Sequence, residues 1–398
     1  MRYISFIAWL FLLSILSALP VDSEEISYDF SVESRLFPSG SAYNVDDNLF
    51  GSFSAELEYY HEWTDRNEQL VITPFVRLDA NDSERSHFDL RELFWQKRFS
   101  DWDLNIGLRK VYWGQTEGLH LVDVINQTDG IENIDGEDKL GQPMLQTTWL
   151  SNFGTFDFFW LPYFRERTFA GAEGRLRPAA PINTDKARYE SDAEEWHQDW
   201  AVRWNHTIGQ YDIGLSYFEG TERQPLFQPR LKQNGSLELL PYYYQTKRLG
   251  VDLLYISGGW IWKLEALSID ASFDDRKHAF TGGFEYTLVG VSGSRYDLGL
   301  LSEYMYDDRG KTFTPFEHDL LVGGRLAFNN VSGTDILGGL IIDTEIGSVL
   351  AFVEMGTRLN DWWSLDIEFR GFFNQESGEL LYDLRDDDLF QVQLTRHM

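Results

Sequence analysis

The chain has 398 residues, a formal charge of −30, no cysteine and 16% aromatic residues. The acid excess excludes a nucleic-acid-binding surface, which needs positive charge, and the absence of cysteine excludes a disulfide-dense secreted scaffold. Mean hydropathy is −0.35 although there are 29 Phe, 19 Tyr and 14 Trp, a combination that suits a membrane-spanning barrel, where only one face of each strand is apolar.

Arg2 precedes an apolar run over residues 4–19, followed by Pro20 and the acids Asp22, Glu24 and Glu25. This pattern predicts a secretory signal peptide over residues 1–23, with Val21 and Ser23 small enough to flank the cleavage site. A membrane anchor is the weaker alternative, because a helical span takes ~20 apolar residues. Removing the signal takes away Arg2 and Asp22, so the charge is unchanged. Residues 24–398 are then one exported domain, expected in the cell outer membrane.

Alternation of apolar and polar side chains, the period of a strand, divides that domain into about eighteen segments of roughly ten residues, the length of a tilted membrane strand. The first covers 26–36, with Ile26, Tyr28, Phe30 and Val32 on one face. The second, 49–63, sets Phe53, Ala55 and Leu57 against Glu56 and Glu58. Pro74 leaves the register of 70–78 open, and 88–99 carries charges and aromatics on both parities. Next, Leu104, Ile106, Leu108 and Tyr112 oppose Asn105, Gly107 and Arg109. Beyond the long segment 115–142, a hairpin joins 144–150 to 156–164. A second long polar segment, 165–196, leads to Trp200, Val202 and Trp204, which turn into Tyr211, Ile213 and Leu215. A third long connection, 219–244, precedes Leu249, Val251, Leu253 and Tyr255, paired with Trp260, Trp262 and Leu264. In 279–308, Phe280, Phe284 and Tyr286, then Leu298, Leu300 and Tyr304, back onto Glu285, Asp297 and Glu303. Runs at 320–328, 336–342, 349–359, 365–373 and 389–398 complete the chain.

The connections alternate in length. Those after even-numbered segments (64–67, 100–102, 152–154, 209–210, 258–259, 291–294 and 360–361) are short, whereas those after odd-numbered segments are mostly long and polar. Short turns at one end and long loops at the other define an outer-membrane meander; a Greek-key sandwich has no reason to keep that rhythm. The predicted fold is therefore all-β, a transmembrane up-and-down antiparallel barrel of about 18 strands, with 16 as the alternative count. Trp63, Trp102, Trp362 and Trp363 at short turns, and Trp113, Tyr255, Tyr304 and Tyr306 near segment ends, are expected to form interfacial girdles.

Charged residues on a lipid face are costly, so parity assigns Glu56, Glu58, Asn105, Arg109, Glu285, Asp297 and Glu303 to a wet lumen. More acids than bases there predicts cation preference. Within 113–142, Leu119, Leu121, Val122, Val124 and Ile125 are apolar residues that a solvated loop would not need. The segment is expected either to fold inward as a constriction, presenting Gln115, His120, Asp123, Asn126, Asp129, Glu132 and Asp135, or to pack on the rim. Its acids, Glu137 and Asp138 included, offer oxygen ligands of the kind Ca²⁺ takes but fail the EF-hand spacing, so no metal or cofactor is expected. There is no HExxH, GxSxG, GxGxxG or P-loop. The scattered histidines include one acidic neighbourhood, His197 with Asp192, Glu194 and Glu195, too slight to support a barrel hydrolase, and no enzyme is expected.

Trp113 and Gly114 after Arg109 and Lys110, then His120, Leu121, Val122 and Asp123, and the block Ile125, Asn126, Gln127, Thr128 and Asp129 resemble an uncharacterised family of Gram-negative outer-membrane porin-like barrels, distantly similar to the alginate-export group. Leu161, Pro162, Tyr163, Phe164, Arg165, Glu166 and Arg167, and the stretch 298–309, resemble the same family. The likeness implies a barrel and passage of small polar or anionic solutes. The final strand, with Phe390, Val392 and Leu394 alternating, resembles the strand that such proteins present to the barrel-assembly machinery, with Met398 where an aromatic residue is usual.

The expected function is an outer-membrane channel for passive diffusion of small hydrophilic solutes or ions, surrounded by outer-membrane lipid and lipopolysaccharide. The alternative is a plugged or structural barrel that binds partners through the long loops 165–196 and 219–244. Nothing in the pattern marks an oligomeric interface.

Overall fold

The computed structural model describes residues 23–43, 45, 47–63, 66–311 and 313–398. The expected signal peptide, up to residue 22, and part of the turn at 64–67 lie outside the described residues. Among those described, eighteen strands form one antiparallel sheet. It begins with β1 (Ser23–Leu36), β2 (Leu49–Glu62), β3 (Glu68–Asp79), β4 (His87–Arg98), β5 (Trp102–Arg109), β6 (Gln142–Ser151) and β7 (Gly154–Leu161). The short β8 (Arg188–Tyr189) stands apart, and β9 (Asp199–Ile208) and β10 (Tyr211–Thr221) return to the sheet. A hairpin of β11 (Leu226–Leu231) and β12 (Leu237–Tyr243) joins β8 in a separate sheet. The barrel resumes with β13 (Gln245–Ser257), β14 (Trp260–Ala271), β15 (Lys277–Leu288), β16 (Asp297–Asp307) and β17 (His318–Ala327). It ends with β18 (Asp335–Asp343), β19 (Val349–Asn360), β20 (Trp363–Phe373) and β21 (Leu389–His397).

Each barrel strand pairs with the next, and β21 closes on β1 from Asp29 opposite His397 to Leu36 opposite Phe390. Met398 extends that seam, exchanging backbone hydrogen bonds of 2.8 and 2.9 Å with Tyr28. Closure leaves no unpaired edge in the sheet, the condition for a strand-built membrane span. The connection at 219–244 is partly regular, since β11 and β12 pair from Leu226–Tyr242 to Leu231–Leu237.

Side-chain parity around the closed sheet separates two surfaces. Val32, Phe53, Ile106, Trp160, Leu215, Leu249, Trp262, Leu300, Val322 and Leu340 are exposed on the outside, the lipid-facing belt of such a barrel. Ser31, Glu33, Asn105, Asp252, Glu265 and Glu303 point inward and are buried. The fourth run is ambiguous in sequence because it contains a β-bulge. The pairing with β3 passes from Pro74–Leu90 to Thr73–Glu92, leaving Arg91 without an opposite number. The extra residue resets the alternation, and Pro74, which has no N–H to donate, sits at that break.

Trp113 is not a girdle residue. Trp113 is 7% exposed and lies inside the barrel, 5.6 Å from the Phe159 ring and under Arg203 at 4.9 Å. A large aromatic at a strand end fits either environment; the apolar side chains that follow Trp113 draw it inward.

Candidate functional site: the inner loop and the lumen

The connection between β5 and β6, residues 110–141, folds into the lumen. Trp113, Leu121, Val122, Val124 and Ile125 form a buried cluster with inward-facing Met144, Phe159, Ala201, Phe218, Leu267 and Ala279. This burial explains why a polar connection carries an aliphatic run: the residues fill the barrel interior. Asn126 shapes the loop by accepting the Val111 N–H at 2.8 Å and donating to the carbonyls of Arg109 and Leu140 at 2.8 and 2.9 Å. Asp123 accepts the N–H groups of Trp113 and Gly114 at 2.6 and 2.9 Å.

Two carboxylates on one wall hold the loop tip. Glu265 of β14 accepts the N–H of Gln115 and Thr116, the Thr116 hydroxyl and the N–H of Val122. Glu303 of β16 accepts the N–H of Glu117 and Gly118, each at 2.9 Å. Glu117 in turn pairs with Arg325 at 2.9 Å. On the opposite side, Arg77 binds Glu132 with two bonds of 2.8 and 2.7 Å, Arg91 reaches the same carboxylate at 3.2 Å, and Arg370 pairs with Asp135 at 2.9 Å. The loop thus crosses the lumen with anionic anchors at one end and cationic anchors at the other. Burial opposes ionisation of Glu132, but the neighbouring Arg77 and Arg91 outweigh it and hold its carboxyl below the usual range. Burial also disfavours a charged His120 ring, yet its 2.8 Å contact with Glu137 wins and raises its pKa to about 9.

The lumen candidates occupy different situations. Glu56 pairs with Arg91 at 2.7 Å and so joins the Glu132 network, while Glu58 shares its inward parity and is exposed. Arg109 donates to Gln146 at 2.6 Å, beside the 2% exposed Asn105. Glu303 faces inward, but the loop covers it and it is 2% exposed. Asp297 lies at the short-turn end, accepting the Gly290 N–H at 2.8 Å, and Glu285 sits opposite Leu301; no bond joins either to the loop among the described residues. Asp129 is satisfied by the Thr168 hydroxyl at 2.6 Å. His197 pairs with Asp199 at 2.8 Å.

Among the described residues, two chambers flank the loop. One of about 480 Å³ adjoins the long-loop end and is lined in part by Gly118, Leu119, Lys139, Arg248, Phe352 and Leu384. The other, about 400 Å³, is lined by Asp29, Glu33, Glu56, Glu132, Asp138 and Asp366, with Arg77, Arg91 and His397. Six acids against two arginines make this second chamber electronegative.

Glu265, Arg91, Arg370 and the inner apolar wall do not stand out from alternation alone. Glu265 had a usable signal, an acid between the lipid-facing Leu264 and Ala266. Arg91 was hidden by the bulge.

No family model matches the chain, and no curated protein matches it. Among solved structures, it is similar to OccK11 (OpdR) of Pseudomonas aeruginosa, with a TM-score of 0.55 and 10% identity over 95% of this chain and 96% of that one. It is also similar to Wzi of Escherichia coli, an outer-membrane carbohydrate-binding β-barrel involved in group 1 capsule assembly, with a TM-score of 0.54 and 11% identity over 97% and 86% of the two chains. These likenesses are of fold: the chain is an outer-membrane β-barrel of porin-like architecture.

Proposed function

We propose that this barrel is a passive channel for small hydrophilic solutes or ions, narrowed by the inner loop. The observation that carries this reading is the loop itself, bonded across the lumen from Glu265 and Glu303 to Arg77 and Arg370, with a solvent-sized chamber on either side. A loop that only filled space would not need charged anchors on both walls, whereas a constriction must keep a fixed aperture. Glu56, Glu58 and Glu285, together with Asp29 and Asp366, supply the negative lining that favours cations. Residues 1–23 serve as the export signal, and the β21 strand is the segment read by the assembly machinery. The reaction is transport alone, without catalysis.

A second reading, a plugged barrel with a binding role at its outer face, is favoured by how the long loops cover the mouth. Arg175 in segment 162–198 pairs with Asp387 at 2.6 Å and stacks over Phe37 at 4.5 Å, tying three connections together. Swelling of proteoliposomes in iso-osmotic arabinose separates the two readings. The channel gives swelling above protein-free vesicles; a plugged barrel gives none.

A further inference from the structure

The chamber at the long-loop end differs in chemistry from the rest of the lumen. Its lining carries six acidic and six basic side chains, in a chain with 64 acids and 34 bases, so it does not share the general negative field. The acids there are engaged: Glu117 with Arg325, Asp135 and Glu354 with Arg370, Glu137 with His120, Glu222 with Arg248, and Asp123 with backbone N–H groups. Of the bases, Arg223, Arg248, Arg309 and Arg370 have carboxylate partners. Lys139 and Arg167 do not.

Lys139 is 8% exposed and has no ion pair among the described residues, and the Nε of Arg167 is buried without a hydrogen-bond partner. Both line the chamber. Burial holds the Lys139 ammonium below the usual lysine range, and the nearby Arg167 adds to this while Asp123 and Glu137 oppose it. Two neighbouring cations that no carboxylate pairs directly are costly to bury. The barrel wall of the same chamber is apolar: Leu337, Ile341, Leu350, Phe352 and Phe372 all point inward and belong to one buried cluster, with Leu119 and Ile134 of the inner loop packed against it. A water-filled polar pore has no need of such a wall, and a volume of about 480 Å³ falls in the range of small-molecule pockets.

We propose that this chamber binds an amphipathic organic anion, its acid group taken by Lys139 and Arg167 and its apolar body laid on the Leu350–Phe352–Phe372 wall. An anionic head supplies the missing counter-charge and the body removes apolar wall from water. Only passage of the anion through the barrel rests on the channel reading; its seating does not.

The test is equilibrium dialysis of 4-phenylbutyrate against the whole folded barrel in nanodiscs, with empty nanodiscs subtracted. Butyrate supplies the charge without the body, and 4-phenylbutan-1-ol the body without the charge. Phenylbutyrate is expected to bind at least about tenfold more tightly than either. Equal retention of the three, or none of phenylbutyrate, overturns the proposal. The Lys139→Gln/Arg167→Gln double variant, checked for heat-modifiable migration, is expected to lose about tenfold or more for phenylbutyrate while leaving the alcohol unchanged; undiminished binding overturns it. The wild-type comparison stands even where the variant does not fold. Binding without vesicle swelling sinks the channel and keeps the site, whereas swelling without binding does the reverse.

Discussion

The Oε1 atom of Glu265, a residue with no exposed surface, lies 2.6 Å from the backbone nitrogen of Gln115. The same oxygen accepts the Thr116 N–H at 3.0 Å and its hydroxyl at 2.8 Å, and Oε2 takes the Val122 N–H at 3.2 Å. A carboxylate is an unusual choice for a barrel interior unless something solvates it. Here the loop backbone does so, which makes loop position and carboxylate charge depend on each other.

Glu265→Ala removes the acceptor and leaves its donors inside the barrel. Each such loss costs about 1–3 kcal/mol, so the variant is expected to unfold at lower urea and to show faster amide exchange across residues 115–122. Glu58→Ala, on the exposed part of the lumen face, is expected to change neither. Unaltered exchange at 115–122 in Glu265→Ala would mean that the apolar cluster alone holds the loop.

The His120–Glu137 contact gives the loop a pH dependence. Because the folded-state pKa of His120 is raised to about 9, its contribution is full below the unfolded value of about 6.5 and is lost as pH rises through 9. Protection of the segment 118–137, corrected for intrinsic exchange, should therefore fall between pH 7 and pH 10. In His120→Gln it should be low at both, with no pH step of this origin. A step of equal size in the variant would assign the effect to another group, Lys139 first.

Inward and outward parity can be tested with one substitution on each face of the barrel. Val322 is 47% exposed on the outer face and its neighbour Leu321 is fully buried in the lumen. Val322→Arg places a guanidinium in lipid at about 2–4 kcal/mol, read as a lower midpoint for refolding into vesicles. Gln393→Arg, inward beside the acids of the electronegative chamber, is expected to stay within about 1 kcal/mol of the wild type.

The strand plan was legible because lipid and lumen impose opposite demands on alternate residues, as at 279–288, where Phe280, Phe284 and Tyr286 face out and Thr281 and Glu285 face in. Legibility failed where both faces are apolar. The run Ile336, Leu337, Leu340, Ile341 and Ile342 has no period that distinguishes Leu337 and Ile341, which face the chamber, from Leu340, which faces lipid. It failed again where the register breaks, at Arg91. The anchors of the inner loop could not be paired from sequence, because Glu265 and Gln115 are 150 residues apart and only closure of the barrel brings them together.

The most direct test of the central claim is single-channel recording of the folded barrel in planar bilayers under a KCl gradient. Discrete current steps are expected, with a reversal potential on the cation-selective side, in keeping with the acids of the electronegative chamber. Folded, inserted protein that carries no current would contradict that claim.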